Sequence, residues 1–334
     1  MTLPFKPAIF LLLAAIGVFG LVGDPYVLFV LNRAVLYIVL CVGLNVLMGY
    51  AGQLAFAHAA MFGIGAYACG LLQVRLGWSF VPAAMAAVAF TTVIGSALTL
   101  PALRLSGLYL ALSTLAFAMA VQWVFMNWTE VTFGAGGFRV PTLEVDIGIG
   151  REQTYFLICL VVAGVVIAAT DNILRSKYGR RFVAIRESEI AAGSFGVNVT
   201  QTKLFAFAYS SMCAGLAGAF YAPLLRFVAP ENFDLHQMIL MQVMIVVGGL
   251  GSMAGSLIGV CVIFFAFEML RDTRGLLELF LGVMLIGFVL LQPQGLVEIL
   301  NRFTRIREPF LPRTLAARER ERAKRVQEAR HAAS

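Results

Sequence analysis

Eight stretches of this chain contain no Asp, Glu, Lys or Arg, and they constrain its fold more than any motif: residues 7–23, 34–74, 76–103, 105–129, 153–170, 204–225, 235–267 and 279–297. A helix needs about 20 apolar residues to cross about 30 Å of hydrocarbon, so each stretch is a candidate membrane segment. Two are far too long for one helix, and both are broken by glycine. Residues 34–74 break at Gly49-Tyr50-Ala51-Gly52 and residues 235–267 at Gly248-Gly249-Leu250-Gly251. Counting each as two gives ten segments, each a full span or a re-entrant half-helix. With 60% hydrophobic and 13% charged residues, the chain has too little charge to cover a soluble surface, which takes about 25%. The expected fold is an all-α polytopic membrane protein with about 8–10 transmembrane or re-entrant helices. Residues 1–300 form the membrane domain and 301–334 a basic tail. Lys6 before an apolar run resembles a signal peptide, but no A-x-A cleavage pattern comes after it, so 7–23 reads as a first span.

Charge asymmetry orients the segments. Residues 130–152 hold four acids against Arg139 and Arg151, whereas 171–203 hold six bases against three acids. The tail holds ten Arg or Lys against four Glu. Positive residues stay on the cytoplasmic side, so 130–152 is expected outside, with 171–203, the tail and both termini inside. Segment parity agrees and is the same for hairpins as for paired spans. Asp24 and Arg33 flank the connection before the second segment. Glutamates interrupt the basic cluster of the tail, which reads as a solvated helix more than a lipid anchor.

Several chemistries are excluded. The net charge of +7 is confined to short connections and the tail, which fits membrane topology and not nucleic-acid binding. The five cysteines lie in apolar runs without a CxxC pair, so no metal site or disulfide framework is expected. No Gly-Lys dipeptide occurs, so a phosphate-cradling P-loop is absent. No cluster of His, Asp and Glu has catalytic spacing, and no cofactor is expected. An ion-coupled secondary transporter keeps ionisable groups inside its spans, and this chain almost lacks them. His58 is the one titratable group well inside a segment; a packing histidine and a residue on a substrate path are the alternatives.

The breaks carry more information. Irregular backbone at membrane depth is tolerated only where it is buried in protein or faces water, and interrupted segments mark transport routes. Asn45, Gln53 and His58 around the first break, with Tyr109 and Thr114 from the next polar-flecked segment, are expected to line or border a translocation path. Buried packing groups are the alternative reading, since polar side chains in a low-dielectric bundle need partners either way. Gly251, Gly255 and Gly259 recur every four residues, a seam that lets helices pack closely. Within 171–203, Ile185, Ile190, Ala191 and Phe195 are expected to form one apolar face of a short helix with Glu189 in its first turn. Gly196 is expected to end it in a left-handed cap.

At these residues the sequence resembles a family. Glu189-Ile190-Ala191-Ala192 followed by Gly196 resembles the E-A-A-x-x-x-G loop of bacterial ABC importer permeases. Ser176-Lys177-Tyr178-Gly179-Arg180, Ala184-Ile185-Arg186-Glu187 and Gly43-Leu44-Asn45-Val46-Leu47-Met48-Gly49-Tyr50-Ala51-Gly52-Gln53 are similar to branched-chain amino acid permeases of the high-affinity M type. The likeness runs over about residues 35–297. Ala57 and Gly193 depart from it, standing where glycine and an acidic residue are common.

The resemblance implies a transport subunit in the bacterial cytoplasmic membrane that hydrolyses nothing itself. Its implied partners are a related permease, two cytoplasmic ATPase subunits and an outer-side solute-binding protein. The implied solutes are leucine, isoleucine and valine, with urea, short amides or other amino acids as the alternative carried by close relatives. The 171–203 loop becomes the ATPase-coupling loop. Arg186 and Glu189 are then charged contacts at the rim of an ATPase groove, Ala191 and Ala192 small seats within it, and Gly196 its exit.

Overall fold

A computed structural model describes residues 24–102, 105, 107–143, 150–269, 282–284, 286–287 and 295–297. The segment expected at 7–23, most of 279–297 and the tail lie outside the described residues. The elements in chain order are α1 (Pro25–Asn45), running into a π-helical turn (Val46–Tyr50), then α2 (His58–Leu76), α3 (Phe80–Ala102) and α4 (Leu108–Asn127). A short α5 (Thr129–Thr132), a 3-10 turn (Gly134–Gly136) and β1 (Phe138–Arg139) come after them. Next are α6 (Arg151–Arg175), α7 (Lys177–Glu187), α8 (Glu189–Ser194) and α9 (Val199–Leu225). The last are β2 (Phe227–Val228), a 3-10 turn (Pro230–Phe233), α10 (Leu235–Gly248) and α11 (Met253–Met269).

Six of the described helices are long and apolar enough to cross a membrane: α1 with its π-turn, α2, α3, α4, α6 and α9. The fold is an all-α polytopic membrane bundle. β1 and β2 pair antiparallel, Phe138 with Val228 and Arg139 with Phe227, and tie the loop after α4 to the loop after α9 at one end. The other end of α6 leads into α7 and α8, so 130–143 and 176–198 sit at opposite ends of a 25-residue helix.

Local chemistry sets the boundaries. Pro25, whose fixed φ suits the first helical position, starts α1 after an extended Asp24. The helix therefore begins before Arg33, which is not a flanking charge but part of α1. Its guanidinium lies 5.9 Å from the rings of both Phe29 and Phe264, so aromatic faces substitute for water. Ser176, Ser188, Asn198 and Asp234 each accept a hydrogen bond from a backbone N–H of the helix they open. Each satisfies a donor the helix would leave orphaned.

The two overlong stretches resolve differently. α1 and its π-turn make one continuous run of 26 residues, about 39 Å at 1.5 Å per residue. The chain then returns as a non-helical segment over 51–57, and α2 starts at His58 beside Leu40. The second stretch is a hairpin. α10 descends along α1, with Gln237 beside Tyr37 and Met244 beside Cys41. It turns at Gly249–Gly251, and α11 returns until Phe264 stacks edge-on against Tyr37 at 5.2 Å. At 14 residues α10 is about 21 Å long, shorter than the hydrocarbon core. The core lies where α1, α2 and α9 meet, filled by Tyr37, Phe62, Tyr221 and Phe233.

Candidate functional site

The strongest site is the capped loop between α6 and α9, packed against the break in α1. α7 buries Phe182 and Ile185, and its Tyr178 stacks on Phe205 of α9 at 4.7 Å between ring centres. At Ser188 the backbone turns extended, and the Ser188 hydroxyl accepts from Ala191 N–H to begin α8. α8 ends in a complete left-handed cap. Gly196 has φ +80°, Val197 N–H donates to the Ala192 carbonyl, and Gly196 N–H donates to that of Gly193, both at 3.0 Å.

That break at Ser188 splits the apolar face expected from the sequence. Ile185 and Ala192 turn inward and are buried, whereas Ile190 and Phe195 are 87% and 88% exposed. The charged residues also turn inward. Arg186 donates Nη1 to the Gly49 carbonyl at the end of the π-turn. Burial presses its pKa down, offset in part by Glu187 and Tyr50. Glu189 accepts from Lys203 Nζ at 2.7 Å and from Gln53 Nε2 at 3.4 Å. Lys203 is 3% exposed and Glu189 35%, so a buried ammonium rests on a half-sheltered carboxylate. Among these residues, Ala191 remains outward and open.

The five polar residues around the breaks are placed as follows. Asn45 is buried and fully bonded, its Nδ2 donating to the Ser252 carbonyl at 2.6 Å and Ser256 Oγ at 2.7 Å, its Oδ1 accepting from Gly251 N–H at 2.8 Å. Gln53 is buried, bonded to the Ala51 carbonyl and Glu189. His58 Nε2 lies 3.0 Å from the Leu40 carbonyl and Nδ1 3.0 Å from Ser210 Oγ. A carbonyl only accepts, so Nε2 carries the hydrogen and, in the neutral ring, Nδ1 takes the serine hydroxyl. Thr114 is buried, its Oγ1 accepting Phe56 N–H at 2.9 Å. Tyr109 alone points away from the bundle, 74% exposed on α4. The residues of 51–57 alternate: Ala51, Gln53, Ala55 and Ala57 are buried, while Gly52 and Leu54 are exposed.

Gly255 and Gly259 of α11 face Gly248 of α10 across the hairpin. A Cβ on Gly255 would sit 2.7 Å from the Gly249 carbonyl oxygen, and one on Gly259 would meet the Met244 carbonyl, so the two backbones approach only without side chains. Gly251 lies in the turn itself, with φ +77°.

Sequence reasoning missed Lys203 as the partner of Glu189, and the outward turn of Ile190 and Phe195. The spacing of Ser188 before Ala191 was the available signal, since a serine there opens a new helix and rotates the residues after it. Among the described residues, no group of three His, Cys, Asp or Glu side chains is placed to hold a metal ion.

A polytopic helical bundle with glycine-broken segments, a short helical hairpin and a capped loop presenting two apolar side chains fits a transport permease subunit. The model of the family described as the branched-chain amino acid transport system permease component matches residues 26–291, and the chain belongs to that family. It is 30% identical over 293 residues to the high-affinity branched-chain amino acid transport system permease protein LivM of Salmonella typhimurium, covering 80% of this chain and 69% of that one. It is 31% identical over 294 residues to LivM of Escherichia coli K12, with 79% and 68% covered. To LivH of Escherichia coli K12 it is 23% identical over 240 residues, with 67% and 78% covered. No solved structure matches it.

Proposed function

We propose that this chain is one of two related permeases in an ABC importer of the bacterial cytoplasmic membrane, passing leucine, isoleucine and valine inward. An outer-side binding protein delivers the solute, and two cytoplasmic ATPases supply the work. The arrangement has 130–152 outside, with 171–203 and the 301–334 tail inside and residues 1–300 as the membrane domain. The observation that carries this reading is the pair Ile190 and Phe195, held out from a capped loop whose other side is bonded to the break after α1. Large exposed apolar side chains on an ordered polar loop mark a docking site, and an importer subunit without a nucleotide site must receive work by contact. The permease names of the LivM and LivH relatives support the solute class and the pairing with a second permease.

The translocation path runs beside the 51–57 segment. Non-helical backbone with Gly52 and Leu54 exposed fits a protein or water neighbour and not lipid. Tyr109 then faces the path, with Gln53 and Thr114 holding its wall and Asn45 and His58 one layer behind. The test is uptake into liposomes holding this chain, the second permease and both ATPases, with binding protein on the ATP-distal side. ATP-dependent accumulation of leucine, isoleucine and valine in preference to urea or acetamide is expected. Accumulation driven by an ion gradient with this chain alone, or preference for urea, refutes the assignment.

A further inference from the structure

α1 ends in a way that leaves a carbonyl free, and the loop takes it. In a continuing α-helix the Gly49 carbonyl would accept the N–H of residue 53. Here the π-turn shifts the register, and Gln53 N–H donates to the Leu47 carbonyl at 3.0 Å. The Gly49 carbonyl, at the negative end of the helix dipole, is taken by the guanidinium of Arg186 from α7. Arg186 also lies against one side of Gly52, whose missing Cβ would lie 2.8 Å from Arg186 Cγ. Three residues on, Glu189 joins Gln53 and Lys203. The loop therefore grips the chain on both sides of the break.

The other face of the same turn holds the hairpin. Asn45, the last residue before the π-turn, donates to Ser252 and Ser256 and accepts from Gly251. Arg186 and the hairpin turn are thus separated only by residues 45–49, one irregular helical turn. A π-turn carries one residue more than the α-register needs, and such turns recur at functional sites. Release of that extra residue would return the turn to the α-register, the kind of second arrangement a coupling route requires.

Resting on the importer reading above, we propose that Arg186 and Glu189 are positioning residues that hold the break in its π-register and transmit displacement of the loop, through Gly49 and Asn45, to the 248–252 turn. They do not serve as contacts at the ATPase rim; Ile190 and Phe195 do.

The test uses the complete reconstituted importer, with binding-protein-stimulated ATP hydrolysis and leucine uptake measured in the same vesicles. Arg186→Ala and Asn45→Asp are expected to keep stimulated hydrolysis within about twofold while uptake falls about tenfold or more, so that ATP spent per solute rises. Arg186→Lys, which still donates to a carbonyl, is expected to restore part of the ratio. Ile190→Asp is expected to lose ATPase association and both activities together. An unchanged ratio in Arg186→Ala and Asn45→Asp, whether both activities persist or both fall in step, overturns the proposal. A wild-type complex that never imports fails the underlying reading; one that imports while these ratios stay fixed fails the coupling route alone.

Discussion

Replacing Glu189 by alanine strands an ammonium. Lys203 Nζ sits 2.7 Å from Glu189 Oε1, and the lysine side chain is 3% exposed, so no water replaces the lost carboxylate without rearrangement. Breaking a fully buried ion pair by removing one partner costs about 3–5 kcal/mol. Glu189 itself is 35% exposed, so screening and partial hydration reduce the expected cost to about 1.5–3 kcal/mol. Lys203→Met removes the charge together with its need for a partner, and should cost less, about 0.5–1.5 kcal/mol. The double variant should resemble Lys203→Met, so that the coupling energy in a double-mutant cycle equals the Glu189→Ala cost, about 1.5–3 kcal/mol. Unfolding in detergent titrated with SDS, followed by the fluorescence of Trp78, Trp123 and Trp128, reads these differences. Additive single effects, each below about 0.5 kcal/mol, would show a solvated pair and refute the argument from burial.

Three further outcomes are expected. Gly196→Val meets no neighbouring atom, so its effect is purely the left-handed backbone, about 1–2 kcal/mol, with loss of ATPase association or uptake despite normal membrane insertion; full uptake would show that α8 tolerates a frayed end. His58→Ala removes the bonds to the Leu40 carbonyl and the Ser210 hydroxyl from a buried site and should destabilise by about 1–3 kcal/mol in the same SDS titration; no change would point to replacement by water. In a variant lacking its own cysteines, Thr142→Cys and Ser188→Cys should react with impermeant thiol reagents from opposite sides of the membrane, and labelling from one side overturns the topology.

Much of the bundle was legible because charge is so costly in hydrocarbon that its absence marks the spans. The error at α1 has the same physics behind it: Arg33 looked like a boundary, yet two phenylalanine rings and the Pro25 start let the helix absorb it. The glycine runs announced both breaks, but not their difference. Parity is identical for a hairpin and for two spans, and the packing of the second break against α1 rests on contacts such as Asn45 with Gly251, 206 residues apart. In the loop, Gly196 was legible because few side chains tolerate its φ. The inward turn of Arg186 and Glu189 was not, since it depends on a helix restart at Ser188 and on partners in α1 and α9. The polar residues around the breaks show the same limit: sequence placed them together, while their partners lie on other helices.

Contact between the outward apolar pair of the loop and an ATPase is open to cross-linking. Ile190→Cys and Phe195→Cys, in the cysteine-free chain within the assembled importer, would be treated with a short bifunctional thiol-to-amine reagent with and without ATP. Cross-links to the ATPase subunits are expected from both positions, changing in yield with nucleotide, and none from Thr142→Cys at the other end. Importers that transport normally but give no ATPase cross-link from either position would contradict that contact.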